Sequence, residues 1–499
     1  MIRHLLFAFC LLIATPAFAT STPSAAAPVI DQKGADALKP RVADSLNAVA
    51  ASFSQKGMLM KQSGDLMVEP AGTYYAVTTP LLTLDMPGGV TRTIGMVAIN
   101  AIPTNDPDVF KVAVALPTPM VDMKDGRNVG SLDIGTQSMN GLWNMTALAF
   151  LQMDANYKNI RINDLTKNAQ TQIPELTATL RLSPSGKFHS GPFEIAATGM
   201  SYKDPKKSWS AGTNRLRAML HDLDLSATRD ARQQAATGGA AGMQSAALAL
   251  ATSLLDRADI LVDQQNLSWQ NVTPQGGTTG GTVKTVVMKS ALSKIRTGLA
   301  DGTIEYTAEG FTSTDTTAVN FTPTRMNFRG NVEKLPLAAF VQAPGRDGIR
   351  NAINNAGTHI VMTEGVIDAP GYGLALTGDL TASNASPYMG IGKFRIEMRG
   401  MDALTSYLAT PAGAASLGLE HATNNLVPLL AVLQLAGHPG KDASGRAVSV
   451  YDVRITKDGA ITMNGNDMTT VISTLGEAAK GAQPQGPLAP TVVAPPTKK

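Results

Sequence analysis

Apolar and polar residues alternate with a period of two through most of this chain, and that alternation limits it to sheet architectures. From Met58 to about Ile162 the runs LMVEP, TYYAVTT, LLTLDMP, RTIGMVAINAI, FKVAVAL, GSLDIGT and YKNIRIND succeed one another. Gly88-Gly89, Asp106-Pro107, Asp125-Gly126 and Asn140-Gly141 punctuate them. Short strands joined by turn dipeptides predict an antiparallel meander, because parallel neighbours need long crossover connections. The pattern continues over Leu176–Met200, with Ser185-Gly186 as a turn, and resumes in VKTVVMKSALSKI, GTIEYTAEGF and AVNFTPTRMNFRG. Met145–Asp154 fits a helical turn and a strand equally well. Gly276-Gly277 and Gly280-Gly281 mark a hairpin tip or loop.

Helical spacing appears at the ends and between these runs. Leu38, Val42, Leu46, Val49 and Phe53 fall three or four apart, predicting an amphipathic helix over Ala35–Phe53 that starts near Pro40 and ends at Gly57. Ala235–Asp256 and Ala412–Gly437 read as further helices, the latter kinked at Pro428, and Leu335–Gly357 is helical in tendency but broken at Pro336 and Gly345. Gly357–Leu408 reads as three strands and a short helix entered at Arg399-Gly400, with Asp402 placed at the favourable end of the helix dipole. The same ending, strand then glycine then short helix, is expected at Gly330 and Gly465. Val448–Met463 is the clearest hairpin, with Val453, Ile455, Ile461 and Met463 on one side of a two-residue turn at Asp458-Gly459. The fold class expected is α+β: β-rich antiparallel meanders in two halves, repeated strand-Gly-short helix units, and helices packed on one face or at the ends.

The first residues have the layout of a secretory signal peptide: Arg3 and His4, the apolar LLFAFCLLIA, and Ala17-Phe18-Ala19 before Thr20. The expected organisation is a signal peptide over 1–19 and a disordered spacer over 20–34, followed by an N-terminal β-rich domain with its leading helix over 35–205. A helical connector over 206–260 then leads to a C-terminal α+β domain over 261–480 and a disordered proline-rich tail over 481–499. The single cysteine, Cys10, lies in the leader, so the mature chain has no disulfide, thiolate metal site or cysteine nucleophile. The expected compartment is the periplasm.

A net charge of +3, from 42 basic and 39 acidic residues with no basic block, argues against a nucleic-acid partner. No zincin, nucleophile-elbow, β-lactamase, phosphate-loop or dinucleotide-binding motif is present. Gly371-Tyr372-Gly373 with Gly378 has the wrong spacing for a dinucleotide and reads as a tight turn, and Gly440-Lys441-Asp442 reads as a loop. His189, His221, His359, His421 and His438 are scattered without ligand spacing; His221, flanked by Asp222 and Asp224, is the strongest of them, and a solvated turn or strand edge is its expected setting. Trp143, Trp209 and Trp269 sit in half-polar contexts where an indole N–H can reach a partner. Methionine is abundant, at 22 residues, and Met58, Met60, Met67, Met86, Met96, Met326, Met362, Met398 and Met463 fall on strand faces. They read first as core filling, and second as an adaptable surface for an apolar ligand. Copper at Met58 and Met60 has no supporting cluster. No catalytic, cofactor or metal residue is assigned.

The leader, the recurring apolar-x-apolar-x-x-Gly strands and the closing pair VYDVRITKDGAITMNG resemble exported bacterial β-rich proteins of the AsmA-like and YdgA-like kind, over about Ala318–Leu475. The resemblance implies elongated curved sheets with an apolar inner face and brings no catalytic motif. Unlike AsmA-like proteins, the chain is expected to keep no membrane anchor once the leader is removed. The expected function is non-enzymatic: binding of an amphipathic ligand, a lipid, or of an envelope protein in cell-envelope maintenance. A periplasmic hydrolase with a site assembled from dispersed residues is the enzyme alternative, and an outer-membrane-associated structural protein is the third reading.

Overall fold

The computed structural model describes residues 29–54, 58–227, 255–272, 277–316, 318–337, 339, 345–386, 390–410, 413, 430, 433–442 and 444–470. The leader, the helix expected over Ala235–Asp256, most of that over Ala412–Gly437 and the tail lie outside these residues, as does His421. The first element is helix α1 (Gln32–Ser54). It begins well before Pro40, because Asp31 caps it: the Gly34 N–H donates to Asp31 Oδ1 at 2.7 Å. Pro40 therefore lies inside the helix, where it removes one backbone hydrogen bond. Buried Ala35, Leu38, Val42 and Phe53 hold the helix against the sheet despite that loss.

Ten strands follow: β1 (Leu59–Ser63), β2 (Met67–Ala71), β3 (Tyr74–Thr78), β4 (Leu81–Met86), β5 (Val90–Gly95), β6 (Ala98–Pro103), β7 (Val109–Ala115), β8 (Met120–Lys124), β9 (Arg127–Asp133) and β10 (Thr136–Asn144). They are antiparallel but do not form one sequential meander. Successive hairpins alternate between two ladders, β1-β4-β5-β8-β9 and β2-β3-β6-β7-β10. Both ladders attach to the same edge of β11 (Ala149–Asp164), β10 along its first part and β9 along its last. Leu82, Leu84, Ile94 and Met120 of one ladder share a core with Val77, Ala101, Phe110 and Met139 of the other, and α1 lies against β1 and β2. Turn chemistry sets each hairpin, but which ladder it joins depends on which faces can be buried together. Asn140-Gly141, expected as a turn, is inside β10, and Met145–Asp154 leads into β11 as strand.

From β11 onward the sheet continues as long strands: β12 (Ala169–Arg181), the short β13 (Ser183–Ser185), β14 (Phe188–Lys203), β15 (Lys207–Leu223), β16 (Arg257–Val272), β17 (Thr278–Ser293), β18 (Leu299–Glu309), the short β19 (Thr312–Ser313) and β20 (Arg325–Pro336). It ends with β21 (His359–Asp368), β22 (Gly373–Ala382), β23 (Gly390–Arg399), β24 (His438–Lys441), β25 (Ala447–Ile455), β26 (Ile461–Met463) and β27 (Asn466–Asp467). Apart from β13, β19 and β24, which pair at the margins, each is hydrogen-bonded antiparallel to the next, so one ladder runs from β11 to β27. The segment expected as a helical connector thus supplies β15 and the start of β16, because Leu216 and Ile260 alternate with polar residues as strands require.

A crease crosses these strands. Asn159, Gly199, Asn266 and Gly310 have φ of 54°, 68°, 53° and 72°, and they stand beside Gly135, Pro174, Gly212 and Lys284 of neighbouring strands. The pairings place Asn159, Pro174, Gly199, Gly212, Asn266, Lys284 and Gly310 in one transverse line. Left-handed backbone suits Gly and Asn, which is why those residues recur there. At the crease the inward-facing residues are three apart rather than two: Tyr157 and Ile160, Ile173 and Leu176, and Ala197 and Met200 are all buried. The same side of the sheet therefore stays apolar on both sides of the bend.

Two helices sit near the far end, α2 (Gly345–Ala356) and α3 (Met401–Leu408). Gly400 enters α3 with φ 66°, and a Cβ there would stand 2.1 Å from the Gly371 carbonyl. The strand-Gly-helix ending holds at Gly400; Gly330 lies within β20, and Gly465 lies in the turn between β26 and β27. The β25–β26 hairpin keeps the expected faces, Val453 opposite Met463 and Ile455 opposite Ile461, but closes through residues 456–460 rather than a two-residue turn. The Thr456 N–H bonds the Ala460 carbonyl at 3.0 Å across that loop.

Candidate ligand-binding face

The long strands divide their side chains by face. One transverse row on the face that continues the core reads Ile195, Leu216, Val262, Met288, Tyr306, Phe328, Gly365, Leu376 and Ile396. The rows two positions to either side carry Phe193, Ile260, Ile304, Met362 and Phe394, and Ala197, Val286, Met326, Ile367 and Leu374. The intervening row, on the opposite face, carries ion pairs: Arg217 to Glu194 at 2.9 Å, Lys289 to Glu305 at 3.4 Å and Arg329 to Glu305 at 3.1 Å. The ion-paired face also carries Leu261, Val287 and Val366, but the core-side face is the more apolar of the two.

Cover of the core-side face is incomplete among the described residues. At β14 and β15 the apolar face merges with the N-terminal core, which Phe193, Ile195 and Leu220 join. At the other end Leu404 of α3, with Leu430 and Leu433, packs with Leu374, Ile396 and Met398. Between these ends Val262, Val286, Met288, Tyr306 and Phe328 are only part-buried, while Ile304 and Ile360 are 48% and 44% exposed. Fully covering an aliphatic or aromatic side chain contributes about 1.5–3 kcal/mol, so roughly half of that per residue is still unrealised on this face. Tyr306 and Phe328 pair across the strands with ring centroids 6.1 Å apart.

Two carboxamides interrupt the apolar rows. Asn214 and Gln264 are direct partners on β15 and β16, and Gln264 Nε2 donates to Asn214 Oδ1 at 3.0 Å. The Asn214 Nδ2 amide is buried and has no hydrogen-bond partner among the described residues. A buried donor in that state costs about 1–3 kcal/mol. Sequence reading missed the pair; its signal is a polar residue at the inward position of both strands, two before Leu216 and two after Val262.

Beyond the crease, Tyr202, Trp209 and Trp269 form one row, with Tyr202 and Trp209 stacked at 6.3 Å and 19°. Gly281 continues the row because the Trp269 ring occupies its side-chain space, with Cζ2 2.7 Å from where a Cβ would be; Gly280 and Gly281 belong to β17 rather than to a loop. Asp204 accepts from the Tyr202 hydroxyl, and this bond pushes the phenol up to about 12. An open cleft of about 490 Å³ also lies at this end, with Gln172, Ser201, Ser210 and Ser268 among its lining residues. Ser210 and Ser268 bond each other at 2.7 Å, and no histidine or carboxylate among the described residues lines the cleft.

The described histidines do not converge. His221 Nε2 lies 3.0 Å from Asp259 Oδ2, a carboxylate distant in sequence, rather than on its flanking aspartates. Burial raises the Asp259 pKa, but bonds from His221 and Arg257 outweigh it and hold the carboxyl below its usual range. His359 stands between Glu333 and Asp379 at 3.6 and 3.9 Å, and His438 is exposed on β24. His189 is lowered by burial, and its Nδ1 has no partner. Among the described residues no three His, Cys, Asp or Glu side chains approach as a metal site would require, and no helix is long and apolar enough to cross a membrane. Met60, Met398 and Met463 are buried, Met58 and Met86 pack on the core, Met67 and Met96 are exposed, and Met326 and Met362 lie on the apolar face. Trp143 meets Phe150 edge-on at 4.4 Å in the N-terminal core. Gly371-Tyr372 lies in the turn between β21 and β22 and Gly373 opens β22, whereas Gly440-Lys441 belongs to β24.

Fold and face together define a β-rich class: a continuous antiparallel ladder, apolar along one side and ion-paired along the other. The chain matches no family model, no curated protein and no solved structure.

Proposed function

We propose that the protein is exported to the periplasm and acts there without catalysis, binding an amphipathic ligand, a lipid, along the apolar face of β15–β23 in maintenance of the cell envelope. The supporting observation is the row from Leu216 to Ile396, which keeps apolar side chains part-exposed on seven of its eight strands, buried Gly365 of β21 being the exception, while the reverse face is ion-paired. In this reading the chain is an α+β protein whose helices close the two ends of the sheet and leave the middle for the ligand. The flexible Met288, Met326 and Met362 side chains suit acyl chains of varied shape.

The test is native mass spectrometry of protein purified from the periplasm without detergent, followed by organic extraction. Lipid at about one per chain is expected. The Leu216→Asp/Met288→Asp variant is expected to retain the fold and lose the lipid, since each change sets a charge on the face. A mass free of lipid, with none taken up on exposure to envelope extract, would overturn the lipid reading and transfer the face to an envelope-protein partner.

A further inference from the structure

We infer that Asn214 and Gln264 hold the neutral carbonyl of an acyl ester, the linkage that joins the chains of a glycerolipid to its backbone; this rests on the lipid-binding reading above. Asn214 Nδ2 is a buried donor with no acceptor among the described residues, and Gln264 is already turned onto Asn214 Oδ1 at 3.0 Å. The pair is ringed by Ala197 and Val286 on the flanking strands, Leu216 and Val262 on one side, and Ala211 and Leu267 on the other. A ligand group that satisfies Nδ2 must accept a hydrogen bond and be joined to apolar chains that follow these rows. The nearest guanidinium groups along β15, Arg215 and Arg217, are engaged with Glu194 at 3.1 and 2.9 Å on the opposite face. Neither is free to neutralise a carboxylate at the pair, which favours an ester carbonyl over a fatty-acid anion.

The experiment titrates delipidated full-length protein with methyl palmitate, octadecane and palmitate, read by native mass spectrometry. The ester is expected to bind roughly threefold to tenfold more tightly than the alkane, the range for one net hydrogen bond. The Asn214→Leu/Gln264→Leu variant is expected to bind ester and alkane alike. Equal binding of ester and alkane by the unaltered protein would overturn the inference and leave the lipid-binding face standing, and it needs no variant to fold. A preference surviving in the variant, or tighter binding of palmitate than of the ester, would overturn it as well. Uptake of neither ester nor alkane would remove the lipid-binding reading itself, and the inference with it.

Discussion

Replacing the carboxamide pair by leucines should change stability in a markedly non-additive way. Gln264→Leu alone removes the 3.0 Å bond and strands Asn214 Oδ1 beside the Nδ2 amide that already lacks a partner. A second unmatched polar atom costs about 1–3 kcal/mol, and the added leucine recovers about 1 kcal/mol on a part-buried face, so a net loss of about 1 kcal/mol is expected. The double variant Asn214→Leu/Gln264→Leu removes both unmatched atoms and extends the apolar row between Ala197 and Val286. It should be about 2 kcal/mol more stable than Gln264→Leu and at least as stable as the unaltered protein. Urea titrations of the ligand-free proteins, followed by tryptophan fluorescence and far-UV circular dichroism, supply the comparison. A double variant no more stable than Gln264→Leu would refute the reasoning, because Asn214 Nδ2 would then have been satisfied all along.

Three further outcomes follow from particular contacts. Arg92 and Asp122 form a buried two-bond ion pair at 2.7 and 2.8 Å between β5 and β8, so Arg92→Met should cost about 3–5 kcal/mol by chemical denaturation, and Arg92→Met/Asp122→Leu should recover most of it. His189 is held below its ordinary 6.5 by burial, so the unfolded chain takes up the proton first; stability should fall as pH drops through about 6.5 and level off below the folded value, and His189→Gln should flatten that part of the profile. Gly186 and Gly199 have φ of 62° and 68°, but only Gly199 has a neighbour, Pro174 Cγ, which lies 3.1 Å from where a Cβ would stand. Alanine at Gly186 should cost about 1 kcal/mol for the left-handed backbone, and alanine at Gly199 measurably more by thermal denaturation.

Much of the local structure was legible in the chain itself. Period-two runs became strands, Gly88-Gly89 and Asp125-Gly126 became turns, and the spacing of Leu38, Val42 and Phe53 marked the buried side of α1. The helix start was displaced because Asp31 caps it, a signal that Pro40 obscured. Gly330 resembles Gly400 in its neighbours, yet it falls within β20, since a glycine bends or ends a strand only where the surrounding pairing requires it.

Alternation and turn residues settled by themselves that this chain would be antiparallel and apolar on one side, because a strand's side chains must emerge on alternate faces whatever its neighbours are. Neighbours decided the rest. Only the paired structure sends successive hairpins to two ladders, lines Asn159, Gly199, Asn266 and Gly310 into one crease, and sets Asn214 against Gln264 inside an apolar row. Each of these depends on which strands lie side by side, and strand pairing joins residues far apart in the chain through register and shared burial, quantities that no local stretch of sequence contains.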